Sequence, residues 1–143
     1  MYGNDRSSMR RVFVEAWRKR QRGMPMQPLD LLIADVIALH PEYHALLEDP
    51  DGVLDKDYTA EGGQTNPFLH LGMHVSLREQ LGTDRPRGIA ALYQQLSRRA
   101  ADPHQAEHWL MECLGQILWE AQRCSRMPDE QAYLECARRL LRR

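Results

Sequence analysis

The chain has 143 residues, 43% of them hydrophobic and 27% charged, with a formal net charge of −1; this length and balance fit one soluble domain with a real core and exclude a disordered chain. Near-neutrality argues against a general polyanion binder. The longest apolar run, around Leu31 to Leu39, is interrupted by Asp35, and Met1-Tyr-Gly-Asn-Asp-Arg lacks a secretory apolar segment, so neither a bilayer span of roughly 18 to 20 residues nor export is indicated and a cytoplasmic protein is expected.

Taken in chain order, the punctuation is helical. Ser7 and Ser8 are placed to cap a first helix over about Met9 to Arg22, with Val12, Phe13, Ala16 and Trp17 as its apolar stripe and Gly23 as its stop. Residues 1–23 hold seven Lys or Arg against Asp5 and Glu15, whereas residues 29–61 hold nine acids against Lys56. Arg10, Arg11, Arg18 and Lys19 therefore predict either a solvated face lying against the chain's own acids, which is preferred, or a contact with nucleic acid or an acidic protein partner.

Pro28 opens a second helix, Leu29 to Leu39, apolar almost all round and so expected in the middle of a bundle, with Asp35 buried. Pro41 then breaks the chain, making His40 the expected cap of a short helix from Glu42 to about Glu48. Residues 49–66 are acidic, contain three glycines and predict one long loop. Asn66-Pro67 starts a helix to Leu81, ended by Gly82; Asp84 near Pro86 starts another with Ile89, Leu92, Tyr93 and Leu96 on one face. Asp102-Pro103 starts the longest, to Arg123, and Pro128 the last, with Ala132, Tyr133, Cys136 and Leu140 inward. The expected fold is all-α, a single-domain bundle of about six helices.

Cys113, Cys124 and Cys136 are odd in number and have no CxxC spacing, so buried reduced thiols are expected rather than a disulfide framework or a zinc knuckle. No GxSxG or phosphate loop occurs, so no catalytic residue is assigned.

All six histidines fall in three pentapeptides, "HPEYH" at 40–44, "HLGMH" at 70–74 and "HQAEH" at 104–108. Random placement would produce only about 0.2 pairs at this i, i+4 spacing, the one that puts two side chains on the same helix face. Two such imidazoles can reach one cation, with metal–nitrogen distances of about 2.0 to 2.1 Å for zinc. Each pair lies in the first turns of a proline-opened helix, where the dipole favours neutral imidazole, the metal-binding form. In the third pair Glu107 points into the apolar arc of Leu110, Met111, Leu114, Leu118 and Ala121, and Glu112 lies one turn beyond His108. A core-facing carboxylate must be paired or metal-bound, so Glu107 is either a ligand or the partner of an arginine.

The stretches "HPEYH", "GQTNPFLHLGMH", "REQ", "DRPRGI", "HQAEHWLMECL" and "LWEAQR" resemble a proteobacterial family catalogued as a domain of unknown function. That resemblance implies a bacterial helical protein and carries no activity. A looser likeness, to hemerythrin-like helical metal proteins, rests on the HxxxH pairs and on His74 with Glu79, but the ordered HxxxE, HxxxH and HxxxxD series is absent.

The leading expectation is a non-haem metal-binding bundle with ligands His70, His74, His104, His108, Glu107 and Glu112, and with His40 and His44 completing the site or building a second one. Iron or zinc is the expected ion, and six histidines leave room for a two-metal centre. The alternatives are a metal-free adaptor in which the histidines cap helices or a nucleic-acid-associated protein, and a homo-oligomer or an acidic protein is a possible partner.

Overall fold

The computed structural model describes residues 5–48 and 66–142. Its α-helices are α1 (Asp5–Gln21), α2 (Pro28–Ala38), α3 (His44–Glu48), α4 (Pro67–Thr83), α5 (Ile89–Arg99), α6 (Pro103–Arg123) and α7 (Glu130–Leu141), with a 3-10 turn at Pro41–Tyr43. No strand occurs among the described residues, so the all-α expectation holds. The loop expected at 49–66 falls, Asn66 apart, outside the described residues.

Several boundaries follow the proline device because caps are local hydrogen bonds. Asn66 Oδ1 accepts from the backbone N–H groups of Phe68 and Leu69 at 3.0 and 3.2 Å, and Asp102 Oδ1 accepts from Gln105 N–H at 2.8 Å. Each cap satisfies a donor that the first turn of a helix leaves open. Other boundaries shift. Ser7 and Ser8 lie inside α1, which begins at Asp5. Gly82 does not stop α4, which runs to Thr83, where the Thr83 hydroxyl donates to Glu79 O at 2.8 Å. The fifth helix starts at Ile89, not near Asp84: Gly88, at φ 102°, is its cap residue, and Asp84 Oδ1 accepts from Gly88 and Ala90 N–H at 3.1 and 3.0 Å. The last helix is capped by Asp129, which accepts from Ala132 N–H.

The chain divides into two compact units, 1–75 and 76–143. In the first, Phe13, Val14, Ala16 and Trp17 of α1 pack with Ile33, Ala34, Val36 and Ile37 of α2, Leu47 of α3, and Phe68, Leu71 and Val75 of α4. The helix α2 is not central: Leu29, Leu31 and Leu39 stay exposed. Asp35 is exposed too, because Arg20 of α1 reaches it and a solvated ion pair costs less than a buried acid. Lys19 bonds Asp30 at 3.1 Å and Gln21 donates to Glu48 at 2.7 Å, so the basic end of α1 lies against the chain's own acids. The Gln27 backbone N–H, and then Lys19, hold the Asp30 carboxyl below the ordinary carboxylate range.

In the second unit α5, α6 and α7 pack on one another. The buried arc of α6 is Ala106, Glu107, Leu110, Met111, Cys113, Leu114, Ile117 and Ala121, while Leu118 is exposed. It is rotated from the expected arc because α6 meets α5 on one side and α7 on the other. Tyr133 of α7 donates to Gln80 Oε1 at 2.8 Å, and burial pushes its phenol pKa up.

The expected reduced thiols are corrected: Cys113 of α6 and Cys136 of α7 form a disulfide, with Cα atoms 5.8 Å apart and a sequence separation of 23. Periodicity places each cysteine on a helix face but says nothing of which faces meet. Closing a loop of this size should stabilise the chain by about 3 kcal/mol through loss of unfolded-state entropy. A Cys113→Ala and Cys136→Ala variant is therefore expected to melt well below the parent in thermal unfolding. Equal melting temperatures with and without reductant would deny the bond this role.

Candidate metal centre

The break at Pro41 leaves the last carbonyls of α2 without helical partners, and the two histidines of "HPEYH" supply them. His40 Nδ1 lies 2.7 Å from Val36 O, and His44 Nε2 lies 2.8 Å from Ile37 O. A carbonyl only accepts, so the proton sits on Nδ1 of His40 and on Nε2 of His44. His40, 2% exposed, therefore presents the lone pair of Nε2 to its surroundings. Against the expectation that His40 caps the helix that follows, its side chain makes no such bond and reaches back to α2 instead. His44 is held differently, with its ring 4.5 Å from Trp17 and tilted by 33°.

The helix α4 brings the second pair to His40. Its i, i+4 spacing puts His70 and His74 on one face, their ring centroids 4.9 Å apart. His74 is fully buried and His70 half-buried. His40 stands 5.0 Å from the His70 ring and 4.7 Å from the His74 ring. Three imidazoles of the first unit thus form a nearly equilateral triangle, in which His40 Nε2 and His70 Nε2 are 3.2 Å apart. Tyr43 stacks on His40 at 5.7 Å with an interplanar angle of 11°, and meets His70 edge-on at 6.2 Å. Sequence reasoning passed over Tyr43, although an aromatic residue between two paired histidines was a legible signal.

In the second unit His104 and His108 of α6 stand with ring centroids 4.3 Å apart, both half-buried. Glu107, 3% exposed, is met by Arg78 in a two-pronged bond, Nε to Oε1 at 3.0 Å and Nη2 to Oε2 at 3.1 Å. Of the two roles left open for this carboxylate, the structure displays the arginine pairing. Glu112 is exposed and lines a shallow groove with Arg99, Trp109 and Leu140. Glu79 is exposed as well. Among the described residues no carboxylate joins a group of three or more candidate ligands. Neutral imidazole nitrogen is a borderline donor that suits zinc, copper, iron and nickel and disfavours magnesium and calcium.

Seven helices, no strand among the described residues, and a cluster of imidazoles able to take a metal ion define the class: an all-α protein with a histidine-lined candidate centre. The chain belongs to the family described as Domain of unknown function (DUF1841), which matches residues 5–139. No curated protein and no solved structure matches it. No helix among the described residues is long and apolar enough to cross a membrane.

Proposed function

We propose that this protein binds one transition-metal ion through histidine imidazoles, with His40 and His74 of the first unit as ligands. The observation that carries this reading is the triangle of rings in the first unit, where His40 comes from thirty residues upstream to stand against the His70 and His74 pair. Buried imidazoles seldom gather for packing alone, because each brings a polar nitrogen that must be satisfied. The hydrogen bond from His40 Nδ1–H to Val36 O is the support that metal-ligating histidines receive, since it fixes the tautomer and aims Nε2 outward. In the second unit the His104 and His108 pair stands by itself at chelating spacing.

In this reading Glu107 and Glu112 are not ligands, Glu107 being engaged by Arg78 and Glu112 exposed, and His44 is a structural residue. Nucleic-acid binding by the first helix gains no support, because Lys19 and Arg20 bond to Asp30 and Asp35.

Elemental analysis of tag-free protein tests the proposal, with about one equivalent of a transition metal expected. Less than about a tenth of an equivalent of every such metal, together with no rise in melting temperature on adding zinc, iron, nickel or copper, would sink it, since a ligand held only by the native state must stabilise that state.

A further inference from the structure

Resting on that reading, we infer that His70 is a latch on the site and not a ligand of the ion: its Nε2–H occupies the His40 lone pair that the ion needs, so metal enters by displacing that hydrogen bond. The separation of 3.2 Å between His40 Nε2 and His70 Nε2 carries the inference. Two imidazole nitrogens this close share a proton, because two lone pairs facing each other across that gap would repel. His40 cannot supply it. The one proton of neutral His40 sits on Nδ1 and is committed to Val36 O, so His40 Nε2 accepts and His70 Nε2 donates. The His70 nitrogen nearest the site is therefore the protonated one, and it has no lone pair to offer a metal.

The first unit alone holds both rings in register. Helix α4 fixes His70 one turn before His74 on the same face, with ring centroids 4.9 Å apart. Tyr43 stacks on His40 at 5.7 Å and meets His70 edge-on at 6.2 Å, so both partners of the bond rest against one phenol ring.

Burial makes the bond displaceable in one direction. His40 is 2% exposed, so water has little access to replace the donor it would lose, whereas His70 is half-buried and its N–H can turn towards solvent once released. An ion that takes the His40 lone pair satisfies the buried partner and leaves the more exposed one to water. A net hydrogen bond of this kind is worth a factor of about two to ten in an equilibrium constant, so His70 sets the metal concentration at which the site fills without touching the ion.

Zinc(II) affinity of the full-length, tag-free chain, measured by competition with a chromophoric chelator, tests this. His70→Phe keeps a ring in the cluster, removes the donor and leaves His40 Nε2 a buried acceptor without its proton; it should bind zinc about tenfold more tightly than the wild type. His70→Gln should return the affinity to within about twofold of the wild type, because the amide N–H can donate to His40 Nε2. Weaker binding in both variants would make His70 a ligand, and equal affinity in all three proteins would make it a packing residue. Either result overturns the inference and leaves His40 and His74 as ligands. NMR of the carbon-bound ring protons in the metal-free wild type needs no variant: it should find His70 protonated at Nε2 and His40 at Nδ1, and the other tautomer at His70 would also overturn the latch. If the wild type binds no transition metal, the latch and the metal reading fall together.

Discussion

Changing His40 and His74 together to alanine is expected to lower the bound metal from about one equivalent to less than about a tenth, and to abolish the rise in melting temperature on adding metal. At a free concentration near 1,000 times its dissociation constant, an ion bound only to the native state stabilises it by about 4 kcal/mol, roughly 10 °C for a chain of this size. The same variant also loses stability without metal. Both residues are buried, and Val36 O loses the proton it accepts from His40, which costs about 1 to 3 kcal/mol on its own. The quantity to compare is therefore the increment produced by metal, not the melting temperature itself.

His104→Ala with His108→Ala removes two half-buried rings of the second unit and should leave the increment in place. If that variant instead loses the increment, ligands outside the first unit hold the ion and the proposal is wrong. His44→Ala is the control: its Nε2–H serves Ile37 O and its ring serves Trp17, so metal content should not change.

Arg78→Ala is expected to cost about 3 to 5 kcal/mol, because it strips the guanidinium from both oxygens of a carboxylate that is 3% exposed. Glu107 then has to be buried as an uncompensated charge or take up a proton, and either is expensive. Arg78→Met combined with Glu107→Leu should recover most of this loss, since two apolar side chains of similar volume remove the charge and its partner at once. Denaturant midpoints at unchanged slope measure the three proteins. A loss below about 1 kcal/mol for Arg78→Ala would mean that another positive group compensates Glu107. In that event the carboxylate would return as a candidate metal ligand.

The histidines show how far the sequence reaches. Spacing alone puts His70 with His74, and His104 with His108, on single helix faces, because 3.6 residues per turn is a property of the backbone. It cannot bring His40 to His70, since the thirty residues between them carry no periodic signal of their separation. The first pair, "HPEYH", contributes a buried nitrogen to the first unit's cluster through His40. Pro41 breaks the helix, and a ring turning back to a helix carbonyl satisfies the break and presents the opposite nitrogen at once. Bonding a helix carbonyl and offering a nitrogen for ligation are compatible in His40.

What the sequence determined by itself is what short-range chemistry decides: an all-α chain, helices opened by Asn66-Pro67 and Asp102-Pro103, and paired imidazoles on helix faces. Cap bonds close within about three residues and helix faces repeat within four, so neighbours in sequence suffice. Only the tertiary structure decided that Cys113 meets Cys136, that Arg78 rather than an open position faces Glu107, that Asp35 turns outward to Arg20, and that His40 joins His70 and His74. Each of these pairs residues 15 to 34 positions apart, and such contacts depend on which helix faces pack together, a choice set by the whole core and by no single segment.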